Sequence, residues 1–520
     1  MKNKRIFFFI ILGCILITGI TSCKKYLDDA FANPNKPVVV DPDQVLPAVI
    51  SNFHRGLAFD ARGVGNYASY WHRTASGDNW DRMGYTPGSD FGGEKWRTHY
   101  WNLGVNLLNI IRQGDASGRP EYAGAGWALF ALSWLQLADY HGDVILEEAF
   151  NSEQLTFKYD TQDEVYEFVK TICDSAIFYF NKVTTPSAGF SSAGDKFFYA
   201  GNIERWKKFV YGVKALTFHR YINKSNYSAD SVIKYANLSF SSAADDALIG
   251  FDKSLTSIST SALNFYGPTR ANLGGYRPSK YLLDIMNGAI FFNGTIDPRR
   301  AYIFRPATDG QYRGLPPNTG FTGLSTSQQP RNLWGLAGTS APAGGIDTAA
   351  RTYFKNDSKF PILTYSMIQF AKAEAALKKG DQATAKAAYI AAIGGSFDHL
   401  TLHYTGYTTL SAADKAAFLA DPDIVPANVT LSHIMMQKFV SLWPYGMEEI
   451  WVDMRKYQYS SAIFVDYAPV ASLYPDNNGK LVQRVRPRYN SEYIWNIREL
   501  ESIGATAFDY HTKPVWFSLP

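Results

Sequence analysis

Helical periodicity is the feature that most restricts the fold of this 520-residue chain. Apolar side chains recur at spacings of three and four residues in several segments, as they do in helices with one face turned to a core. Such helices bury their apolar faces against one another, so the pattern predicts a mainly α-helical scaffold. The predicted helices cover residues 44–57, 96–113, 122–140, 162–180, 203–221, 365–377, 383–393 and 431–443.

Two of these segments, 365–377 and 383–393, form the clearest helical hairpin. The break between them contains Gly380, which can adopt the left-handed conformation that ends a helix. Their length and spacing match the tetratricopeptide repeat of about 34 residues, and residues 122–180 are a weaker candidate for a second pair. We therefore predict tetratricopeptide-like helical hairpins that form a right-handed scaffold.

Helical periodicity is lost in a long insertion at residues 241–360, except around residues 281–286. Gly, Ser, Thr, Asn and Pro accumulate there. Residues 73–93 and 404–427 are shorter irregular segments. Because loops on a rigid scaffold often carry binding residues, we predict that the loop-rich insertion carries the ligand surface.

The N-terminus indicates export. Basic residues precede an apolar run over residues 6–20, and small residues precede Cys23. The pattern resembles a bacterial lipoprotein signal, in which the cysteine is acylated, for example with palmitate, and becomes the first mature residue. Cys14 offers a competing cleavage site. We predict a signal peptide over residues 1–22, a lipidated N-terminus and proline-containing tether over 23–47, and a single domain over 48–520.

Composition excludes some classes of function. Removing Lys2, Lys4 and Arg5 with the signal leaves 48 basic and 47 acidic residues, a net charge of +1, which argues against nucleic-acid binding. Cys173 then has no cysteine partner, so no intramolecular disulfide is expected. No later segment approaches eighteen uncharged apolar residues, so the lipid is the predicted anchor.

Motifs for catalysis and metal binding are weak. The chain lacks a Walker loop, an HExxH motif and a Gly-x-Ser-x-Gly elbow. Residues 63–68 (GVGNYA) match a dinucleotide pattern, but no strand precedes them. His399 and His403 are four residues apart with no third ligand in sequence, and residues 476–479 (DNNG) are most simply a turn. We predict no enzyme, cofactor or metal.

Several stretches, taken in order, resemble the SusD/RagB family of nutrient-binding outer-membrane lipoproteins. The resemblance covers most of the mature chain, although Ile145 replaces a proline of the family's first motif. The stretches are residues 127–145 (WALFALSWLQLADYHGDVI), 195–220 (DKFFYAGNIERWKKFVYGVKALTFHR), 360–376 (FPILTYSMIQFAKAEAA), 437–455 (QKFVSLWPYGMEEIWVDMR) and 486–493 (RPRYNSEY).

The resemblance implies a non-enzymatic protein that is lipid-anchored in the outer membrane and faces the cell surface. Such proteins form a lid over a TonB-dependent, SusC-like barrel, capture an oligosaccharide or in some branches a peptide, and pass it to the pore. Two other hypotheses remain open, namely a surface scaffold lipoprotein that binds proteins through its repeats, and a surface glycan hydrolase.

Glycan capture requires exposed aromatic rings beside hydrogen-bonding groups. By region rather than by residue, the resemblance places them in loops that leave the helical scaffold. The predicted ligand-binding residues are Asn79, Trp80, Arg82 and Tyr85 in one loop, Tyr266, Tyr276 and Arg277 in a second, and Trp334 in a third. The tryptophans on predicted helical faces are assigned to the core, namely Trp96, Trp101, Trp127, Trp134 and Trp206.

Overall fold

The computed structural model describes residues 40–251, 263–338 and 346–520. The predicted signal peptide, Cys23 and most of the predicted tether lie outside these residues. The described part is mainly helical, which confirms the predicted fold class. The helices are α1 (Pro42–Ala58), α2 (Ala61–Tyr67), α3 (Glu94–Arg97), α4 (Val105–Ala116), α5 (Pro120–His141), α6 (Gln162–Asn181), α7 (Ile203–His219), α8 (Ala229–Leu238), α9 (Lys280–Met286), α10 (Arg299–Ile303), α11 (Tyr365–Lys379), α12 (Gln382–His403), α13 (Ala412–Ala420), α14 (Leu431–Ser441), α15 (Met447–Lys456), α16 (Tyr489–Trp495) and α17 (Ile497–Ser502).

The predicted end of the tether is wrong, because α1 already begins at Pro42. Proline suits the first helical position, where its missing N–H has no helical partner. The Asp41 side chain accepts a hydrogen bond from the Asp43 N–H and so caps the helix. Pro42 and Pro47 lie in the predicted tether, but both are residues of α1.

Consecutive helices pack as hairpins. α5 packs on α6, α7 on α8 and α11 on α12, which confirms both predicted pairs. Gly380 ends α11 with φ of 87°, the left-handed conformation that the sequence predicts. Among the described residues, no helix combines the length and the apolar character needed to cross a membrane.

Two short antiparallel strand pairs join the irregular insertion to the scaffold. β1 (Trp71–Arg73) pairs with β3 (Tyr276–Pro278), and β2 (Ala247–Ile249) pairs with β4 (Phe360–Leu363). The described parts of the insertion otherwise contain short helices and turns, as predicted.

The glycines of the dinucleotide-like stretch have a packing role. They lie in α2, with no strand before them. A Cβ atom on Gly63 would lie 2.5 Å from the Trp80 ring, and one on Gly65 would lie 2.3 Å from the Trp71 ring. Glycine is therefore needed at both positions because an indole rests directly on the helix backbone.

The core assignment of the helical tryptophans is correct for Trp96, Trp134 and Trp206, which are buried. It is wrong for Trp101, which is 77% exposed. Trp101 lies in a π-helical segment, Thr98–Gly104, between α3 and α4. The wider turn of a π-helix shifts the direction of side chains relative to the 3.6-residue period assumed from sequence.

Candidate ligand-binding site

The second predicted group does not form a ligand surface. Tyr266 is buried against Phe354, with ring centres 5.3 Å apart, and its hydroxyl donates to the Pro444 carbonyl. Tyr276 is buried in β3, where the Arg73 guanidinium covers its ring at 4.7 Å. The prediction is wrong for both because Gly-rich flanks in this chain allow the rings to pack inward.

Arg277 and Trp334 are also buried, which corrects their prediction as ligand contacts. Arg277 donates to the backbone carbonyls of Pro330, Gly274 and Tyr276, and so holds the insertion together. Trp334 is completely buried in its turn. Their polar and aromatic groups stabilise the insertion instead of facing solvent.

The residues of the first predicted group, in the loop after β1, have different surroundings. Arg82 donates to the Ser472 and Leu473 carbonyls and so fixes a distant loop, whereas Asn79 is half-buried. Trp80 is 3% exposed, but its ring and Tyr85 both line a cavity. Of the eight predicted residues, only Trp80 and Tyr85 therefore belong to one cavity.

This cavity, which we call the aromatic pocket, has a volume of about 270 Å³. One wall is the loop over residues 85–93, and the other is the C-terminal segment over residues 484–489. Its aromatic lining consists of Tyr67, Trp80, Tyr85, Phe91, Tyr489, Tyr493 and Phe508.

Asp90 holds the two walls together. Its carboxylate pairs with the Arg488 guanidinium, and it accepts hydrogen bonds from the Asn490 backbone N–H at 2.8 Å and from the Asn490 side-chain amide at 2.7 Å. Gly88, with φ of 68°, brings the loop against the Tyr489 ring. These contacts link the two walls of the pocket directly.

Two aromatic rings at the pocket remain accessible. Phe508 is 60% exposed and Tyr489 is 37% exposed. Tyr489 stacks on Tyr493 with ring centres 5.6 Å apart and an angle of 20° between the rings. Trp80 and Phe91 pack edge to face behind them at 5.1 Å. The half-buried Tyr493 therefore supports the exposed ring of Tyr489.

Arg486 dominates the electrostatics of the pocket. Its guanidinium lies 4.4 Å from the centre of the Tyr85 ring. Burial, followed by the charge of Arg486, lowers the pKa of His511 to about 3, so its imidazole is neutral at pH 7. His511 Nε2 donates to Asn477 Oδ1 at 2.8 Å, because the Asn477 amide nitrogen itself donates to two carbonyls. Burial also raises the pKa of Tyr85 to about 12.

A larger groove of about 1400 Å³ lies near the C-terminus. Its aromatic rings are Tyr227 and Trp516, and the Lys224 ammonium covers Trp516 at 4.2 Å. Lys224 also donates to the Leu519 carbonyl at 2.8 Å. Because the chain itself occupies these groups, the aromatic pocket is the better candidate for a ligand.

The acidic residues Glu449 and Asp453, beside Trp451, belong to a buried charge network. Arg220 donates to Glu449 Oε2 at 2.5 Å and to Asp139 Oδ2 at 2.9 Å. Burial would raise the pKa of Glu449, but the charges of Arg220 and Lys438 outweigh it and hold the pKa well below its usual range. The network joins four of the sequence stretches quoted above and contains Asp139, Arg220, Glu374, Lys438, Glu449, Asp453 and Lys456.

Asp246, His399 and His403 bring three possible metal-ligand atoms within 4.8 Å of one another. However, His399 Nδ1 lies only 2.6 Å from Asp246 Oδ2, closer than the roughly 3.3 Å between two ligands that share a tetrahedral metal with bonds of about 2.0–2.1 Å. His403 Nε2 lies 3.0 Å from the Ala243 carbonyl. These distances fit a hydrogen-bonded cluster that fixes the end of α12.

Comparison with known proteins agrees with this architecture. The SusD-like family, described as starch-binding and associating with the outer membrane, matches residues 34–486. The chain belongs to this SusD-like family. A comparison with curated protein sequences finds no match.

Solved structures of SusD-like proteins share the fold over 91–92% of this chain. A SusD/RagB family protein from Bacteroides thetaiotaomicron is 22% identical, with a TM-score of 0.66 over 92% of this chain and 99% of that one. A SusD homologue from Bacteroides fragilis is 18% identical, with a TM-score of 0.67 over 91% and 99%. A chitin-binding SusD homologue from Flavobacterium johnsoniae is 18% identical, with a TM-score of 0.66 over 91% and 98%.

Sequence reasoning missed the C-terminal wall of the pocket. The stretch RPRYNSEY was noted only as part of the SusD-like pattern, although it supplies Arg486, Arg488, Tyr489 and Tyr493. The alternation of cations with aromatic residues was the available signal. Phe508 had no comparable signal, because a single phenylalanine in a turn does not reveal its exposure.

Proposed function

We propose that this protein binds an oligosaccharide at the aromatic pocket on the cell surface. The observation that carries the proposal is the pair of accessible rings, Phe508 and Tyr489, beside hydrogen-bonding groups in a preformed cavity. Aromatic rings can stack on the apolar faces of sugar rings, while the surrounding polar groups contact the hydroxyls.

The pocket's chemistry favours binding over hydrolysis. A glycosidase uses two carboxyl groups about 5–9.5 Å apart across the scissile bond. The charged side chains that line the aromatic pocket are arginines, and its lining includes no carboxylate. The network around Glu449 and Asp453 is buried and paired with lysine and arginine.

In this proposal Cys23 carries the lipid anchor, and a TonB-dependent, SusC-like barrel receives the sugar. Both steps rest on membership of the SusD-like family and on the lipoprotein-like N-terminus. The burial of Tyr266, Tyr276 and Trp334 is what a purely protein-binding scaffold would also give. The exposure of Phe508 and Tyr489 at one cavity favours a glycan-binding protein over a scaffold that binds only proteins.

The proposal is tested by retention of the purified protein in gels that contain soluble polysaccharides such as starch, xylan, pectin and glycol chitin. Phe508→Ala with Tyr489→Ala should abolish retention by the polysaccharide that binds the wild type. Trp101→Ala removes a ring that is 77% exposed but does not line the pocket, so retention should not change. Equal loss in both variants, or binding only to peptides, would refute the proposal.

A further inference from the structure

Two hydrogen-bond donors of residues that line the aromatic pocket have no acceptor in the part of the chain that the structure describes. Trp80 Nε1 and Arg486 Nε are buried donors without a hydrogen-bond partner. Both residues line the aromatic pocket. Unpaired buried donors cost free energy, so such atoms indicate a missing acceptor.

The charged side chains that line the pocket also favour a ligand that accepts hydrogen bonds and carries negative charge. Arg484, Arg486 and Arg488 line it, and no acidic residue does. Arg488 is paired with Asp90, and Arg484 lies 3.5 Å from Asp143. Within the described part of the chain, Arg486 has no carboxylate at salt-bridge distance.

Neutral groups of the protein satisfy most of the Arg486 side chain. It donates to the Tyr493 hydroxyl at 3.2 Å and to the carbonyls of Ala505, Ala507 and Phe508 at 3.0, 2.8 and 2.5 Å, which leaves Nε as its donor without a partner among the described residues. These contacts hold the guanidinium in place over Tyr85 without cancelling its charge. Two acidic residues near the pocket contact other groups: Asp476 Oδ2 is 3.4 Å from the Tyr85 hydroxyl, and Asp509 lies 3.7 Å from Lys480.

We propose that the aromatic pocket prefers a sugar that carries a carboxylate, such as a uronic acid, over the neutral sugar of the same shape. The inference rests on the proposed function of this pocket. The carboxylate accepts hydrogen bonds from the Arg486 and Trp80 side chains. The lone pair of His511 Nδ1, which also lacks a partner, accepts from a sugar hydroxyl. Stacking on Phe508 and Tyr489 holds the rest of the ligand.

The test compares acidic oligosaccharides with the same oligosaccharides after reduction of their carboxylates, by calorimetry with the full mature chain. We expect each bound acidic member to bind about tenfold or more tightly than its reduced partner, the effect of one added hydrogen bond to a charged group. Raising the NaCl concentration from 50 to 500 mM should weaken the binding of the acidic oligosaccharide and leave that of its reduced partner unchanged.

Variants locate the effect. Arg486→Gln should remove the preference for the acidic member, and Trp80→Phe, which keeps a ring but removes the N–H, should reduce it. Lys480→Gln removes a cation that is outside the pocket lining, so the preference should remain. Because Arg486→Gln frees carbonyls that it now binds, its fold is checked by thermal unfolding, and the salt dependence of the wild type stands independently of it.

The outcomes separate the two claims. Equal binding of acidic and reduced partners, or tighter binding of neutral sugars without salt dependence, overturns the acidic preference and leaves the proposed function intact. If no oligosaccharide of either kind binds, the proposed function itself fails.

Discussion

Phe508→Ala should weaken ligand binding while it leaves folding almost intact. Full burial of a phenylalanine side chain stabilises a fold by about 1.5–3 kcal/mol. Because Phe508 is 60% exposed, its truncation removes less than half of that, about 1 kcal/mol. Its backbone carbonyl, which accepts from Arg486, is retained. The lost stacking platform should weaken glycan affinity about five- to tenfold, or about 1 kcal/mol.

Trp334→Ala is the matched comparison. Trp334 is completely buried, so this change should reduce the free energy of unfolding by about 3–5 kcal/mol and leave the affinity of the folded fraction unchanged. Urea unfolding followed by tryptophan fluorescence measures the first quantity, and calorimetry with the bound glycan measures the second. The reasoning fails if Phe508→Ala destabilises as much as Trp334→Ala, or if Trp334→Ala impairs binding of the folded protein.

Three further predictions concern the scaffold and the anchor. Glu449→Gln should destabilise by about 1.5–3 kcal/mol at pH 7, because a neutral amide replaces the carboxylate that pairs with Arg220 and Lys438. Asp139 and Asp453 still pair with these two cations. Since the folded pKa of Glu449 is depressed, its stabilisation is present above the ordinary value of 4.5 and is lost as pH falls towards the folded pKa; urea unfolding between pH 3 and 7 should show a flatter acid limb in the variant. Gly380→Ala should lower the free energy of unfolding by about 1 kcal/mol, because only the left-handed φ opposes a side chain there. Gly65→Ala should lower it more, because the Trp71 ring must move. Equal stability of the two variants in urea unfolding would contradict this packing. Cys23→Ala should move the protein from the membrane to the soluble fraction, and detergent partition that matches the wild type would reject the lipid anchor.

Most of the scaffold was predictable because its helices repeat one physical pattern. α5, α6 and α11 begin and end within two residues of the segments predicted from apolar spacing, since each buries a continuous face. Gly380 was predictable as a cap for the same local reason. The π-helical segment was not predictable, because its apolar spacing does not indicate the wider turn. Trp101 was therefore assigned to the core.

The candidate site was predictable only in part. Composition predicts that some aromatic residues serve binding but not which ones, because solvent exposure depends on tertiary contacts that a loop sequence does not encode. Tyr266 and Trp334 resemble Tyr85 in their Gly-rich settings, yet the first two are buried and Tyr85 is half-exposed to a cavity. The decisive contact, between Asp90 and Asn490, joins residues that are 400 positions apart.

The contact between Asp90 and Asn490 also bears on how a small pocket with few exposed rings could bind the proposed ligand. Ordering a loop on binding costs free energy that subtracts from affinity. Here Asp90 already fixes the loop over residues 85–93 to the N-terminus of α16, and Gly88 already rests against Tyr489. If the proposed ligand binds here, it meets walls that these contacts already join. Modest stacking on Phe508 and Tyr489, together with one charged contact at Arg486, would then add to the affinity, because little free energy would be spent on ordering the loop.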